Sequence, residues 1–566
     1  MIRRNIYIFF LLFFSALHSS TLAENIGQNV FCISTYKADG SIIGKGYGFF
    51  MQNSSTGIAA YKLFKDAVRA EITDCKGRKL SVKRILGASS SYDLVKFQTD
   101  EVSNSGFYRC VEKEAKVNEV LHVFNYSTEK KHFPINTTVE RADDYGSYKY
   151  YYLTAANIEK NFTCPVVSSS GEVAAIIQKN VSKNATKACA IDARFAADLS
   201  ITSTSSLNPD LSAIKIPKAL PLQEADALSY IYMMNSSDSL AVITALNDFI
   251  LAYPDNAEGY VNRATFFASQ NLYNESNRDF IIAFEKANSE KSTMKTDAVH
   301  YSFSKLLYNY SLQKDVLRID GWNMNRALSE AVAAQYNSPH PLYILQRGEC
   351  EYALEMYHDA VESYRKVCQS ELASPQIFYK TAQAMEKAGM PRTDILVQLD
   401  SAVSRLTKPY IASEAYYLYV RASQEIALGK YREAAIDLAH YEQAVGAGSL
   451  SHAFFADRSA TERKAKMFQQ AIDDIRLAQT KAQAPHIFLY RLEEASILLQ
   501  VGLFDEAIKK ATLLLEDLPQ NPDCYKIIGI AYGEKKMRKE AVLNLQKAKD
   551  LGDETADSLI DKYKKK

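Results

Sequence analysis

The chain has 566 residues, enough on length alone for roughly three to four domains. Charge is almost balanced, 67 Lys+Arg against 66 Asp+Glu for a formal +1, which excludes the basic surplus of a nucleic-acid binder; no RNP, zinc-finger or helix-turn-helix spacing offsets it. At 47% hydrophobic and 23% charged residues the chain is too apolar for disorder, and eight cysteines are too few for a disulfide scaffold. Tyrosine is abundant at 36 beside a single tryptophan, so much of the aromatic packing comes from a ring with a polar tip.

Arg3 and Arg4 precede an apolar run from Ile6 to Leu17, and small residues stand at Thr21 and Ala23. A positive start, an apolar core of about a dozen residues and a small-residue cleavage site predict a secretory signal peptide over 1–23. The run is shorter than the ~20 residues a membrane span needs. No cysteine follows the cleavage site, which argues against a lipoprotein, and the residues after Arg3-Arg4 do not match a twin-arginine signal. The expectation is an exported protein, periplasmic or extracellular, with no membrane span in the mature chain. Export permits disulfides. Cys32, Cys75, Cys110, Cys164 and Cys189 precede residue 200, while Cys350, Cys368 and Cys524 follow it; pairing is left open. Asn53, Asn136 and Asn184 head Asn-x-Ser/Thr sequons.

From 24 to 200 the pattern is short alternating or β-branched runs, at 29–36, 46–51, 79–86, 93–98, 120–126, 150–154 and 172–178. Clusters of Gly, Asn, Ser and Asp separate them. This predicts an all-β barrel or sandwich. The segment 201–222, Ser/Thr-rich and then marked by Pro209, Pro217 and Pro221, has linker composition. Beyond it, over 223–566, the chain turns Ala-, Leu- and Tyr-rich with helical periodicity.

Three stretches of the β segment read together: GKGYGFFM at 44–51 before TGIAAYKLFKDA at 56–67, SYDLVKF at 91–97, and TAANIEKNFTCPVVSSSGEVAAII at 154–177. In that order they resemble the trypsin-like serine proteases, especially exported bacterial ones, over about 28–195. The resemblance implies a double β-barrel and assigns the family's catalytic positions residue by residue. The general base falls on Lys62, the orienting aspartate on Asp93 and the nucleophile on Phe162. The glycine that lends an oxyanion-hole N–H falls on Lys160, and the two glycines after the nucleophile become Thr163 and Cys164. A phenyl ring has no nucleophile, and a lysine ammonium is a poor base unless desolvated. Losing glycine where the backbone turns tightly is expected to remove the oxyanion geometry as well. His122 and His132 both follow Asp93, out of the family's order. Cys164 reads as buried or disulfide-linked, Ser168–Ser170 as turn composition, and Asp93 as a strand-end residue pairing with Lys62.

The C-terminal segment repeats itself. Ala360, Ala434, Ala471, Ala507 and Ala541 each begin a matching second helix, the last four at spacings of 37, 36 and 34 residues. Twelve residues earlier stand Gly348, Ala422, Ser459, Ala495 and Gly529; three residues earlier, Tyr357, Tyr431, Phe468 and Phe504, with Arg538 departing from the pattern. An earlier copy fits around Ala264 and Tyr273, 376–408 fits loosely, and 295–340 is least regular. Small residues allow two helices to cross closely, and no helix pair buries its apolar face alone, so the pairs must stack. Residues and period resemble the tetratricopeptide repeat, with GKYREAAIDL (429–438) and GLFDEAIKKA (502–511) as the best copies. That resemblance implies a superhelix whose groove, lined by first helices, takes a protein or peptide partner. The groove positions it assigns include Tyr352, Tyr416, Tyr419, Ser423, Arg463 and Ser496.

Metal and cofactor motifs are absent: there is no Cys-x-x-Cys, His-Glu-x-x-His or phosphate loop, and Gly44-x-Gly46-x-Gly48 lacks the rest of a dinucleotide fingerprint. The sequence therefore predicts a non-catalytic, exported, protein-binding scaffold without cofactor, a degenerate trypsin-like double barrel followed by an all-α array. The other class is an active serine-type endopeptidase whose triad lies in a different register.

Overall fold

The computed structural model describes residues 27–127, 134–157, 161–179, 186–234, 238–290, 292–313 and 319–565. The expected signal peptide, His132, Lys160 and Asn184 lie outside the described residues. The chain divides into two compact units, Met1–Lys295 and Thr296–Lys566. That division falls well beyond the change in composition at 201–222.

The first unit opens with two closed six-stranded antiparallel barrels. One is built from β1 (Val30–Tyr36), β2 (Ile42–Phe50), β3 (Thr56–Ala59), β4 (Arg69–Thr73), β5 (Lys79–Ser89) and β6 (Leu94–Thr99). The other comprises β7 (Val120–Val123), β8 (Ile135–Tyr145), β9 (Tyr148–Ala156), β10 (Pro165–Val167), β11 (Val173–Gln178) and β12 (Lys187–Asp192). Strand order is the same in both: β1-β2-β3-β6-β5-β4, and β7-β8-β9-β12-β11-β10 around the second ring. This is the trypsin-like double barrel. Alternating strands put Phe31, Ile33, Ile72, Ile85 and Phe97 inside the first barrel and Leu121, Val139, Tyr151, Leu153 and Ile177 inside the second. A third cluster, including Phe49, Met51, Leu94, Tyr108, Phe124, Val173 and Ile176, draws on strands of both barrels and seals one to the other.

Closure of the first barrel depends on a bare backbone at Gly48. A β-carbon there would stand 2.3 Å from the Ile58 carbonyl oxygen and 2.5 Å from the Phe31 ring. Neither the β3 backbone nor a fully buried phenyl ring can yield.

The segment 201–222, linker-like in composition, is a strap bonded along the first barrel. Lys215 N donates to the Ala67 carbonyl (2.9 Å), Asp66 N to that of Ala213 (2.8 Å), Ile85 N to that of Pro217 (2.9 Å) and Ala219 N to that of Ile85 (2.9 Å). Its Ile201, Leu211, Ile214 and Ile216 are buried in one cluster with barrel residues and with Ala227, Ile231, Leu246 and Phe249 of the helices Glu224–Tyr232 and Ser239–Ala252. Arg84 of β5 then reaches Asp248 with Nε and Nη2, both at 2.9 Å. Barrel, strap and first helices thus share one core, which is why the unit extends past the change in composition. Helices Ala257–Ser269 and Tyr273–Ala287 complete it.

The second unit is helical and repeat-like. Its hairpins pair Thr296–Ser311 with Met324–Asn337, Pro341–Ala353 with Tyr357–Cys368, and Pro375–Lys387 with Arg392–Val403. They continue with Tyr416–Ala427 and Tyr431–Val445, His452–Lys464 and Phe468–Lys481, His486–Gln500 and Phe504–Asp517, and Pro522–Glu534 and Arg538–Asp550. The segments that fit the repeat pattern loosely or least, 376–408 and 295–340, form hairpins like the rest. Tyr357, Tyr431, Phe468 and Phe504 each start a second helix, and Ala422, Ser459, Ala495, Ala360, Ala434, Ala471, Ala507 and Ala541 are all fully buried at the crossings.

A charged register runs beside the small one. Arg263, Arg421 and Arg458, each just before a crossing residue, make bidentate pairs with Asp279, Asp437 and Asp474, sixteen residues on. In the next hairpin the signs are exchanged: buried Glu494 receives Lys510, again sixteen residues on, at 3.0 Å and Arg476 at 2.6 Å.

Two outcomes follow. Gly48→Ala should destabilise the barrel unit by about 3 kcal/mol or more. Gly46→Ala, whose new methyl meets only the flexible end of Leu63 at 2.6 Å, should cost about 1 kcal/mol; urea unfolding of the two variants checks the contrast. Cys32, Cys75, Cys110, Cys189, Cys350, Cys368 and Cys524 are free thiols. Reductant should therefore leave the thermal midpoint unchanged, measured by calorimetry with and without a phosphine.

Candidate functional site

The helical turn α1 (Tyr61–Phe64) leaves β3 at the mouth of the first barrel, and its N-cap, Ala60, has no side chain able to cap it. Asp93, in the turn entering β6, supplies what is missing. Its carbonyl accepts from Tyr61 N at 3.0 Å and its Oδ1 accepts from Lys62 N at 2.8 Å. Asp93 has φ +49°, a left-handed conformation that aspartate tolerates better than most side chains. A carboxylate at a helical N-terminus also meets the exposed N–H groups that such an end leaves unpaired.

The second oxygen, Oδ2, lies 3.4 Å from Lys62 Nζ. The Lys62 side chain is 54% exposed, so it has none of the burial a lysine base requires. Its Nζ also stands 5.7 Å from the centroid of the Phe162 ring, within cation–π range. The structure thus brings together the three residues the family pattern assigns to catalysis, as carboxylate, ammonium and aromatic face. The ring offers only C–H groups where the family pattern has a hydroxyl, and Lys62 pairs with the carboxylate where that pattern has an imidazole.

Phe162 is held from below. Its neighbour Asn161 is buried; Asn161 Oδ1 accepts from Asn125 Nδ2 at 2.8 Å, and Asn161 Nδ2 donates to the Ala156 carbonyl at 3.4 Å. The ring itself leans on the second barrel's core. The turn after Phe162 is tight without glycine: Thr163 takes φ +64°, donates from N to the Ile177 carbonyl at 2.9 Å, and Cys164 N closes onto the Asn161 carbonyl at 3.1 Å, while the oxyanion position assigned to Lys160 lies outside the described residues. A β-branched residue in the left-handed region carries strain of about 1–2 kcal/mol, which the surrounding barrel holds in place.

The remaining candidates are engaged elsewhere. Cys164 is fully buried, and desolvation pushes its thiol up to about 12, so no thiolate forms at neutral pH. Ser168 and Ser170 lie in the β10–β11 turn with their Oγ atoms 2.7 Å apart, and Ser170 donates to Glu172 at 3.0 Å. His122 Nδ1 is 2.9 Å from Asn136 Oδ1 across β7 and β8.

In the second unit, Tyr416 and Tyr419 are 51% and 42% exposed on helix Tyr416–Ala427. Tyr419 packs on Tyr441 with centroids at 5.3 Å, while Tyr379, which the pattern missed, holds Tyr416. Its OH lies 3.0 Å from that of Tyr416, accepts from Gln383 Nε2 at 2.9 Å, and its ring meets Tyr416 at 5.6 Å and Tyr417 at 5.7 Å. It stands 37 residues before Tyr416, one repeat earlier in the same register, a spacing that could have revealed it. Tyr352 packs on Tyr357 with centroids at 5.5 Å. Ser423 Oγ donates to its own helix at the Tyr419 carbonyl, 3.0 Å. Arg463 bonds Gln500 Oε1 at 2.7 Å, Ser496 Oγ at 3.3 Å and Glu493, so two assigned groove residues are bonded to each other. Among the described residues no cluster of His, Cys, Asp and Glu could hold a metal ion, and no helix is long and apolar enough to cross a membrane.

No protein-family model matches the chain, and no curated protein sequence matches it. Among solved structures it is similar to the serine endoprotease from Yersinia pestis, with TM-score 0.27 and 14% identity over 31% of this chain. The chain spans 62% of that protein, less than two thirds of its length. It is similar, too, to a protein of M. tuberculosis H37Rv solved as an inactive serine-to-alanine mutant, with TM-score 0.27 and 13% identity over 32% of this chain and 90% of the other.

Proposed function

We propose that this is an exported, non-catalytic protein-binding scaffold. The array, read as tetratricopeptide-like, holds a protein or peptide segment on its first helices, and the protease-like barrels offer a second docking surface. The observation that carries the reading is the ammonium of Lys62 set between the Asp93 carboxylate and the Phe162 ring, where acyl transfer needs an imidazole and a hydroxyl. The half-exposed tyrosines support the binding half. They present large, rigid apolar faces with polar tips at low entropic cost.

A fluorophosphonate probe added to the purified protein is expected to leave it unlabelled, as read by intact mass. Covalent labelling of any serine between 150 and 175 would overturn the non-catalytic reading in favour of a serine endopeptidase. Tyr416→Ala and Tyr419→Ala should each weaken capture of partners by the full chain about tenfold, as expected for aromatic contact residues, with helicity at 222 nm unchanged. Lost helicity would instead mark both rings as packing.

A further inference from the structure

Three hairpins place a buried glutamate three residues after the crossing residue of the first helix: Glu351 after Gly348, Glu425 after Ala422 and Glu462 after Ser459. The second helix offers a different partner at the matching position: Ser363, Asp437 and Asp474. In the first hairpin both Glu351 oxygens are satisfied, Oε1 by Arg347 Nε and Oε2 by Ser363 Oγ, each at 2.6 Å.

In the other two hairpins aspartate takes the arginine. Arg421 gives Nε and Nη2 to Asp437 at 2.6 and 2.7 Å, and Nη1 to Asp400 at 3.1 Å. Arg458 serves Asp474 in the same bidentate way and Glu442 at 2.7 Å, leaving Glu462 Oε1 at 3.9 Å from its Nε. Glu425 and Glu462 are each 5% exposed, and the Oε2 atom of each is buried without a hydrogen-bond partner. Glu425 faces Arg421 on its own helix, Asp437 and Glu433 on the following one and Asp400 on the preceding one. Glu462 faces Arg458, then Asp474 and Asp473, with Glu442 bonded to the same arginine from the preceding helix.

We propose that the hairpins 416–445 and 452–481 each hold one proton on this glutamate in mildly acidic solution, and that its release as the pH rises through neutrality loosens the middle of the array. With two carboxyl groups beside one guanidinium in a dry site, a proton on one of them removes a like-charge contact. Burial, then the neighbouring aspartate, raises both groups: Glu425 to about 7, and Glu462 in the same direction. The sign follows from proton linkage. The native state keeps protons that the unfolded chain releases near pH 4.5, so this contribution to stability is full below that value and is lost as pH rises through about 7 and beyond.

The test is thermal unfolding of the full chain followed at 222 nm between pH 5.5 and 8, below the range of ordinary thiols. The wild-type midpoint should fall by several degrees across that window, and Glu425→Gln/Glu462→Gln should abolish the fall. Glu351→Gln should keep the wild-type slope. Hydrogen exchange, corrected for intrinsic rates, should show protection lost within 416–481 in the wild type alone. Asp437→Asn and Asp474→Asn, each leaving one buried carboxyl for its arginine, should also flatten the slope, and they serve if the double glutamine variant does not fold. A wild-type midpoint that does not move, or a slope retained by the glutamine and asparagine variants, overturns the proposal.

Discussion

At Gly48 an added β-carbon would stand 2.3 Å from the Ile58 carbonyl, and at Gly529 one would stand 2.7 Å from the Leu545 side chain. The same constraint governs both halves of the molecule: two segments pass so close that only a missing or minimal side chain fits between them. In the barrel it lets β2 and β3 close the ring that carries Lys62 and Asp93. In the array it sets each hairpin's crossing at Gly348, Ala422, Ser459, Ala495 and Gly529, and so fixes which faces of the first helices stay outward. Packing then follows, because a close crossing brings the flanking Val, Leu and Ile side chains within contact distance.

Around that frame the barrel entrance has become an electrostatic brace. Asp93 bonds a backbone amide and an ammonium where the family pattern would have it orient an imidazole, and Lys62 spans from this carboxylate to an aromatic ring of the second barrel. The interaction is half in solvent, so its Coulombic contribution is small. Its weight lies in the backbone amides of α1, which would otherwise lack a cap.

Much of this was legible before any coordinates. The stretches 56–67, 91–97 and 154–177 pointed to Lys62, Asp93 and Phe162, and the recurring alanines placed the crossings. What escaped notice had physical causes. Strand β8, INTTVERADDY, is largely exposed and polar, so no alternation marks it, while β3 and β10 are too short for a period to show. The strap at 201–222 has linker composition partly because many of its bonds to the barrel are made by backbone groups, which leave no trace in side-chain pattern. Thr163 shows tertiary contacts at work, since they hold a β-branched residue in the left-handed region where local preference favours glycine. The arginine–aspartate register stood in plain view at a spacing of sixteen, hidden because buried charge is not what apolar periodicity looks for.

The exchanged signs at Glu494 and Lys510 bear on how such a chain reaches its native state. Near-identical hairpins invite a helix to dock on the wrong copy, a slip by one repeat that apolar packing alone would scarcely penalise. Were the helix carrying Arg458 to seat against the one carrying Lys510, two cations would face each other in a dry crossing, and Glu494 set against Asp474 would oppose two anions. A single reversal of polarity thus distinguishes the hairpin that carries Glu494 and Lys510 from those that carry the arginine–aspartate pairs, so a slip across that boundary leaves the seam unneutralised.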